Sequence, residues 1–341
     1  MQKTLWTSIF PALGMFMLII DAKTAIMGAQ DAIALCSFTV IPSLFPFFFL
    51  SILLTGNLAG KQIKFLRPVG RLLQIPQGSE SLFFIGLLGG YPTGAQAVAD
   101  GYRNETLSEP QAKRMLGFVS NAGPAFLFGI TGILFSNPSI AWWLWGIHIL
   151  SAVLSAFVLP KAPSTKTKGL SAGHISSSFA LKKALIITAQ VCGWVMLFRV
   201  ILTFLQRWIL WYFPPIFSLI LSGILELTNG FSELSSVMCQ GQQFILASAF
   251  LAFGGICILM QTVSVTAGLG LGYYLPGKIV QCSVSISLAW VMQHFLFPPE
   301  MQWQIPAFIP IITTCVPMVL AFSLRIPKKK IAFRKTLMYN K

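Results

Sequence analysis

From Leu5 to Leu324 the chain is a succession of long apolar runs joined by short, mostly basic connections. A run of roughly 20 apolar residues is long enough, as a helix, to cross the ~30 Å hydrocarbon core of a bilayer. Eight such runs cannot be hidden in one soluble core. Only 10% of the residues are charged, against about a quarter in an average soluble domain. That excludes a soluble enzyme, a disordered chain and an ordinary nucleic-acid-binding domain. The net charge of +15 would suggest nucleic acid on a soluble chain. Here the lysines and arginines sit between apolar runs, where they orient a polytopic protein in its membrane. The partner they imply is the lipid bilayer, with no nucleic acid.

The spacing predicts an all-α polytopic membrane protein that forms a single membrane domain over 1–341, with about eight transmembrane helices. They lie near 5–21, 32–55, 113–135, 138–160, 184–206, 244–262, 279–297 and 304–324. Two further apolar stretches, 81–100 and 216–240, are interrupted at their centres by turn formers. The first carries Gly89-Gly90-Tyr91-Pro92-Thr93-Gly94 and the second Glu226-Leu227-Thr228-Asn229-Gly230. Each break lies about ten residues into its segment, and ten helical residues rise about 15 Å, half the hydrocarbon core. This suits two re-entrant hairpins whose tips reach the midplane; two kinked spans are the alternative.

Charge separates these readings. With both hairpins returning to their own side and both termini in the cytoplasm, 21 lysines and arginines fall inside, Lys278 among them. Lys23 and Arg207 alone fall outside, and Arg199 lies within a span. If either hairpin crossed fully, this bias would weaken or collapse. The same arrangement contains a repeat. Residues 32–160 form one half and 184–297 the other, each reading span, hairpin, span, span. Thr93 aligns with Thr228 and Gly94 with Gly230, an offset of about 135. The next spans are both weak at mid-helix, at Ser120-Asn121-Ala122-Gly123-Pro124 and Phe253-Gly254-Gly255. The hairpins enter from opposite faces, so the halves are inverted, the pattern of secondary transporters. Residues 161–183 read as a cytoplasmic basic linker and 325–341 as a basic cytoplasmic tail.

Other features are less specific. The first segment reads as a retained helix, with a cleaved signal peptide as the alternative. Lys61, Lys64, Arg67 and Arg71 recur beside apolar residues, as in a helix lying on anionic lipid or in a basic loop that only sets topology. Trp142, Trp143, Trp145, Trp208 and Trp211 suit an aromatic belt. The six cysteines include no CxxC pair and the three histidines share no ligand spacing, so no metal site, disulfide or cofactor is expected. His148 reads as a packed histidine. No nucleophile–base arrangement has credible spacing, so no enzyme activity is expected.

Candidate binding residues gather at the tips and breaks. Glu226 stands alone in an apolar run, Ile216 to Leu227. A carboxylate at that depth should face a cavity or a partner; Arg199 is the structural partner within reach of such a reading. Thr228, Asn229 and Gly230 can cover or free backbone groups at a reversal, and irregular backbone at this depth lines cavities. Gly90, Tyr91, Thr93 and Gly94 share that logic, and a tight turn alone is their alternative. Gln96 adds a donor and an acceptor near a helix start. Asn121 neighbours a carbonyl freed by Pro124; it could bind solute or ion, or bond helix to helix. Gln261 is a site candidate or an interfacial residue.

Ile41-Pro42-Ser43-Leu44-Phe45-Pro46-Phe47, the first tip, Ser120–Pro124, Leu225–Gly230 and Phe253-Gly254-Gly255 with Gln261 together resemble the YlbJ-type sporulation integral membrane protein family, of the nucleoside-recognition (Gate) domain group. They are distantly similar to concentrative nucleoside transporters. The resemblance covers about 32–325. It implies a polytopic protein of the cytoplasmic membrane of a spore-forming Gram-positive bacterium. Two functions follow. One is a secondary transporter or permease for a small polar solute, nucleoside-like or of another class, coupled to a proton or to sodium through Glu226. The other is a non-transporting component that recruits partners for spore formation. A homo-oligomer is compatible with both.

Overall fold

The structure is a computed structural model that describes residues 2–58, 64–163, 175–235, 239–306 and 308–323. Every regular element among them is helical. The chain opens with α1 (Gln2–Ile20), α2 (Ala22–Leu35) and α3 (Ile41–Leu58). A π-helical turn, Cys36–Val40, joins α2 to α3, so Ala22–Leu54 forms one continuous apolar stretch. After α4 (Arg67–Leu73) come the short pair α5 (Glu80–Gly89) and α6 (Thr93–Arg103), then α7 (Glu109–Val119), α8 (Pro124–Leu134) and α9 (Ser139–Val158). The second part runs α10 (Ser177–Trp208), the short pair α11 (Pro215–Leu225) and α12 (Leu227–Leu234), then α13 (Gln240–Phe253), α14 (Gly255–Val265), α15 (Tyr274–Leu296) and α16 (Phe308–Ser323).

Six of these stretches, among the described residues, are long and apolar enough to cross a membrane: Ala22–Leu54, Glu109–Gly132, Ser139–Val158, Ser177–Trp208, Gln240–Val265 and Tyr274–Leu296. Of the first and last expected spans, the described helices are Gln2–Ile20 and Phe308–Ser323. α10 is longer than expected, at 32 residues, because the Ser176 side chain accepts from the Phe179 amide and starts the helix well before 184. Lys182 and Lys183 therefore ride on a helix instead of closing a linker. Much of the expected linker and the whole tail after Ser323 lie outside the described residues, as does Lys61.

The order long helix, short pair, interrupted helix, long helix occurs twice. Its packing is reciprocal: α3 lies on α8 as α10 lies on α14, α6 meets α14 as α12 meets α8, and α15 meets α7 as α9 meets α13. One apolar core runs through both parts, including Phe48, Leu127, Leu144, Phe244 and Leu251. The outward face is apolar too, with Phe38, Trp142, Trp143, Trp211 and Phe295 exposed, as a lipid-facing surface requires. Trp145 is half-buried and packs against Phe128 and Trp142 beside that core. All six cysteines are free.

Candidate functional site

Both short pairs are closed by glycine against glycine. A methyl on Gly230 would sit 2.4 Å from the Gly223 Cα, and one on Gly94 would sit 2.9 Å from the Gly86 Cα. Neither leaves room for a side chain. Gly94 and Gly230 are helical, so they do not reverse the chain as expected; they let the two arms touch. The first reversal is made by Gly90, at φ 74, followed by the cis Tyr91–Pro92 bond. A methyl on Gly90 would strike the Gly123 amide nitrogen at 2.8 Å, so this turn presses on the interruption between α7 and α8.

The second reversal is a single extended residue, Glu226, at φ −146 and ψ 122. Residues 227–230, expected as irregular turn, already belong to α12. Glu226 caps that helix: its carboxylate accepts from the Thr228 amide at 3.1 Å and the Asn229 amide at 2.8 Å. These are orphan donors of a helix start, and a carboxylate is favoured there by the helix dipole. Glu226 is 2% exposed. The expected pairing with Arg199 is absent among the described residues. Arg199 donates instead to Asn229 Oδ1 and to Asp31 Oδ2, both at 2.9 Å.

The interruption between α7 and α8 is bound from several sides. Asn121 donates from Nδ2 to the Phe118 and Val119 carbonyls, at 2.8 and 3.2 Å, and accepts from Gln281 Nε2 at 2.9 Å. The Ala122 amide donates to His148 Nε2 at 3.0 Å. Asn121 thus bonds helix to helix, one of its two expected roles. The other interruption is Gly254 alone, at φ 82. A methyl on the next residue, Gly255, would lie 3.2–3.4 Å from the Gly223, Ile224 and Leu225 carbonyl oxygens, so the end of α11 faces the start of α14.

Tyr91 ties the two parts together. Its hydroxyl donates to the Leu251 carbonyl at 3.2 Å and accepts from Lys278 Nζ at 2.9 Å. Lys278 also donates to the Ser120 carbonyl and to Gln281 Oε1. The charge count placed Lys278 in an inside loop. It lies instead in the first turns of α15 with 0% exposure, because Tyr274–Leu296 starts five residues before the expected span.

Between these parts lies a cavity of about 40 Å³, room for roughly one water. Tyr91, Ala122, Gly123, Glu226, Thr228 and Gln261 line it, with Val40, Leu44, Phe126 and Ile258 among its apolar walls. The structure therefore brings together Tyr91, Glu226, Thr228 and Gln261 from both parts of the chain. Gln261 is buried, and its Nε2 donates to the Cys257 sulfur at 3.4 Å. Thr93 and Gln96 lie elsewhere. They line a larger pocket of about 360 Å³ with Asp100, Asn104, Phe179 and Lys183. There Asp100 accepts from Gln96 at 2.8 Å and pairs with Lys183 at 3.0 Å, while the buried Thr93 hydroxyl has no hydrogen-bond partner among the described residues.

Two polar residues escaped the sequence reading besides Lys278. Glu233 on α12 accepts from Gln206 at 2.7 Å and from Ser222 at 3.0 Å. Arg114, 2% exposed, donates to the Pro160, Leu73 and Ala156 carbonyls at 2.9, 2.9 and 2.8 Å. Glu233 lies seven residues after Glu226; that helical spacing was its available signal.

No family model and no solved structure matches the chain. A stretch of 117 residues, 33% of the chain, is 32% identical to the sporulation integral membrane protein YlbJ of Bacillus subtilis (strain 168). The match covers 28% of that relative's length. With its apolar helices, the chain is a helical membrane protein similar over a third of its length to an integral membrane protein named for sporulation.

Proposed function

We propose that the chain is a secondary transporter or permease for a small polar solute in the cytoplasmic membrane of a spore-forming bacterium, and that it serves spore formation. One observation carries the reading. Two short helix pairs and two interrupted helices, drawn from both parts of the chain, meet around a cavity holding Glu226, Thr228, Gln261 and Tyr91. Reciprocal packing of the two parts supports an inverted repeat with two re-entrant hairpins, and such carriers bind at the repeat interface. The 40 Å³ cavity is too small for a solute of nucleoside size, so this geometry corresponds to a closed state. The 360 Å³ pocket beside the first pair has the room, and Thr93, Gln96, Asp100 and Lys183 supply its polar contacts. Glu226 is the group that would couple movement to a proton or to sodium. Both termini face the cytoplasm on this reading.

The relative's name speaks of sporulation and not of transport, which favours a second reading, a partner-recruiting component without transport. Deleting the residues after Leu324 then impairs spore formation more than Glu226→Asp does; transport gives the reverse ranking.

The test is a cysteine map on a background lacking the six native thiols. Single cysteines at the non-glycine positions of 86–98 should react with an impermeant maleimide from one face of sealed vesicles, and those of 222–234 from the other. Labelling of both segments from the same face rejects the inverted arrangement. In the same vesicles, uptake is measured with a panel of labelled nucleosides and other small polar solutes; no uptake of any panel member by the wild type leaves the second reading standing.

A further inference from the structure

Lys278 is the most deeply buried charged group of the site, and its surroundings are those of a cation ligand set. Nζ meets three oxygens of different kinds: the Tyr91 hydroxyl at 2.9 Å, Gln281 Oε1 at 2.7 Å and the Ser120 carbonyl. None is a carboxylate, and no ion pair to Lys278 occurs among the described residues. The ammonium also lies 4.9 Å from the Tyr91 ring centroid and 5.9 Å from that of Tyr274, close enough for cation–π attraction. Burying an ammonium with only neutral partners carries a desolvation cost that hydrogen bonds offset in part, and three donors here meet three acceptors, the full set of an ammonium.

The origin of these oxygens matters. Ser120 is the first residue of the interruption between α7 and α8, Tyr91 is the first reversal, and Gln281 stands one turn above Lys278 on α15. A carbonyl from an interrupted helix, a hydroxyl from a hairpin tip and a side-chain amide oxygen form the kind of hard, neutral oxygen set that can replace the hydration shell of a monovalent cation. Ser120 contributes a further oxygen, a buried hydroxyl with no hydrogen-bond partner among the described residues. Tyr91 also lines the cavity that holds Glu226.

We infer that this cage is a monovalent-cation site whose occupant is the chain's own Lys278 ammonium. The tethered cation locks the first tip, the interrupted helix and α15 together, work that elsewhere falls to a free ion. The inference does not require that the protein transports, because its readout is stability. It predicts that emptying the cage creates a dependence on free cations that the wild type lacks.

The experiment uses the full chain, purified in detergent, with melting followed in choline chloride and in matched sodium, potassium, ammonium and methylammonium chloride. Wild type should melt at one temperature in all five. Lys278→Ala should melt lower in choline and recover most of the loss, saturably, in ammonium or one of the alkali salts. Lys278→Met, which fills the cage without charge, should melt lower and stay insensitive to the salts. A Lys278→Ala protein that melts with wild type, or that stays low in every salt, overturns the inference. So does a salt response as large in Lys278→Met as in Lys278→Ala. If Lys278→Ala cannot be recovered in choline, it is extracted in each of the other salts. Recovery in ammonium supports the cage, and recovery in none overturns it.

Discussion

Glu226 has two roles in this structure, and substitutions can separate them. Its carboxylate caps α12 through two buried amides, Thr228 and Asn229, and it also lines the central cavity. In Glu226→Gln one oxygen becomes an NH2 group, so a donor faces a donor. One buried amide loses its acceptor, which costs about 1–3 kcal/mol. Glu226→Ala strands both amides and should cost roughly 2–6 kcal/mol on the same basis. Aspartate is a favoured cap, so Glu226→Asp should keep most of the stability while drawing the charge back from the cavity by one methylene. The assay is the melting temperature of the purified chain together with amide exchange over 226–231. The expected order of stability is wild type, Asp, Gln, Ala, with exchange at Thr228 and Asn229 fastest in Ala. Solute uptake, where measured, should be lost in both Asp and Gln. Gln and Ala variants that melt with wild type and exchange no faster would refute the cap. Uptake intact in Gln would remove the coupling role.

Three further outcomes follow from the packing. Gly230→Ala and Gly86→Ala should each lose about 3 kcal/mol or more to overpacking, because the new methyl would lie 2.4 Å from the Gly223 Cα or 1.9 Å from the Val119 carbonyl; Gly129→Ala, with nothing within 4 Å, should melt as wild type, and equal behaviour of all three defeats the close-contact account. Arg114→Met should cost at least about 3 kcal/mol, since it strands three carbonyls that a charged donor now serves; a melting curve superimposed on wild type would show those bonds to be dispensable. Arg199→Met should cost about 1–3 kcal/mol, nearly all of it from the buried Asn229 Oδ1 left without its donor, because Asp31 is exposed and such pairs contribute little; a double-mutant cycle with Asp31→Asn that returns a coupling above about 2 kcal/mol would contradict this.

The interruptions were legible because glycine and proline act locally. Gly90, Pro92, Gly123, Pro124 and Gly254 mark places where helix geometry cannot continue, whatever surrounds them. Glu226 was legible as a carboxylate in an apolar run. Its capping was not, because the usual caps are shorter side chains and Thr228-Asn229-Gly230 looks like a turn until the helix is seen. Lys278 was misassigned for a related reason. A lysine at the edge of an apolar run normally reports orientation, and only tertiary packing shows that Ser120, 158 residues earlier, arrives to meet it. The separation of Thr93 and Gln96 from Glu226 was equally invisible, since alignment of the two tips carries no information on which side of a tip a residue faces. α10 overran its expected ends because apolarity marks the part a bilayer covers, while the helix runs on into polar sequence as long as its backbone bonds are met.

The glycine contacts within the two short pairs set the terms of any opening. Arms that meet with no side chain between them have no slack to scissor apart, and prying them open would expose bare peptide. On the transport reading, each pair therefore swings as one stiff plate. For the first, the flex falls at its anchorages, where Gln74, Gly78 and Glu105 already hold left-handed backbone angles. On that reading, stiffening those anchorages would block uptake while leaving the pocket intact.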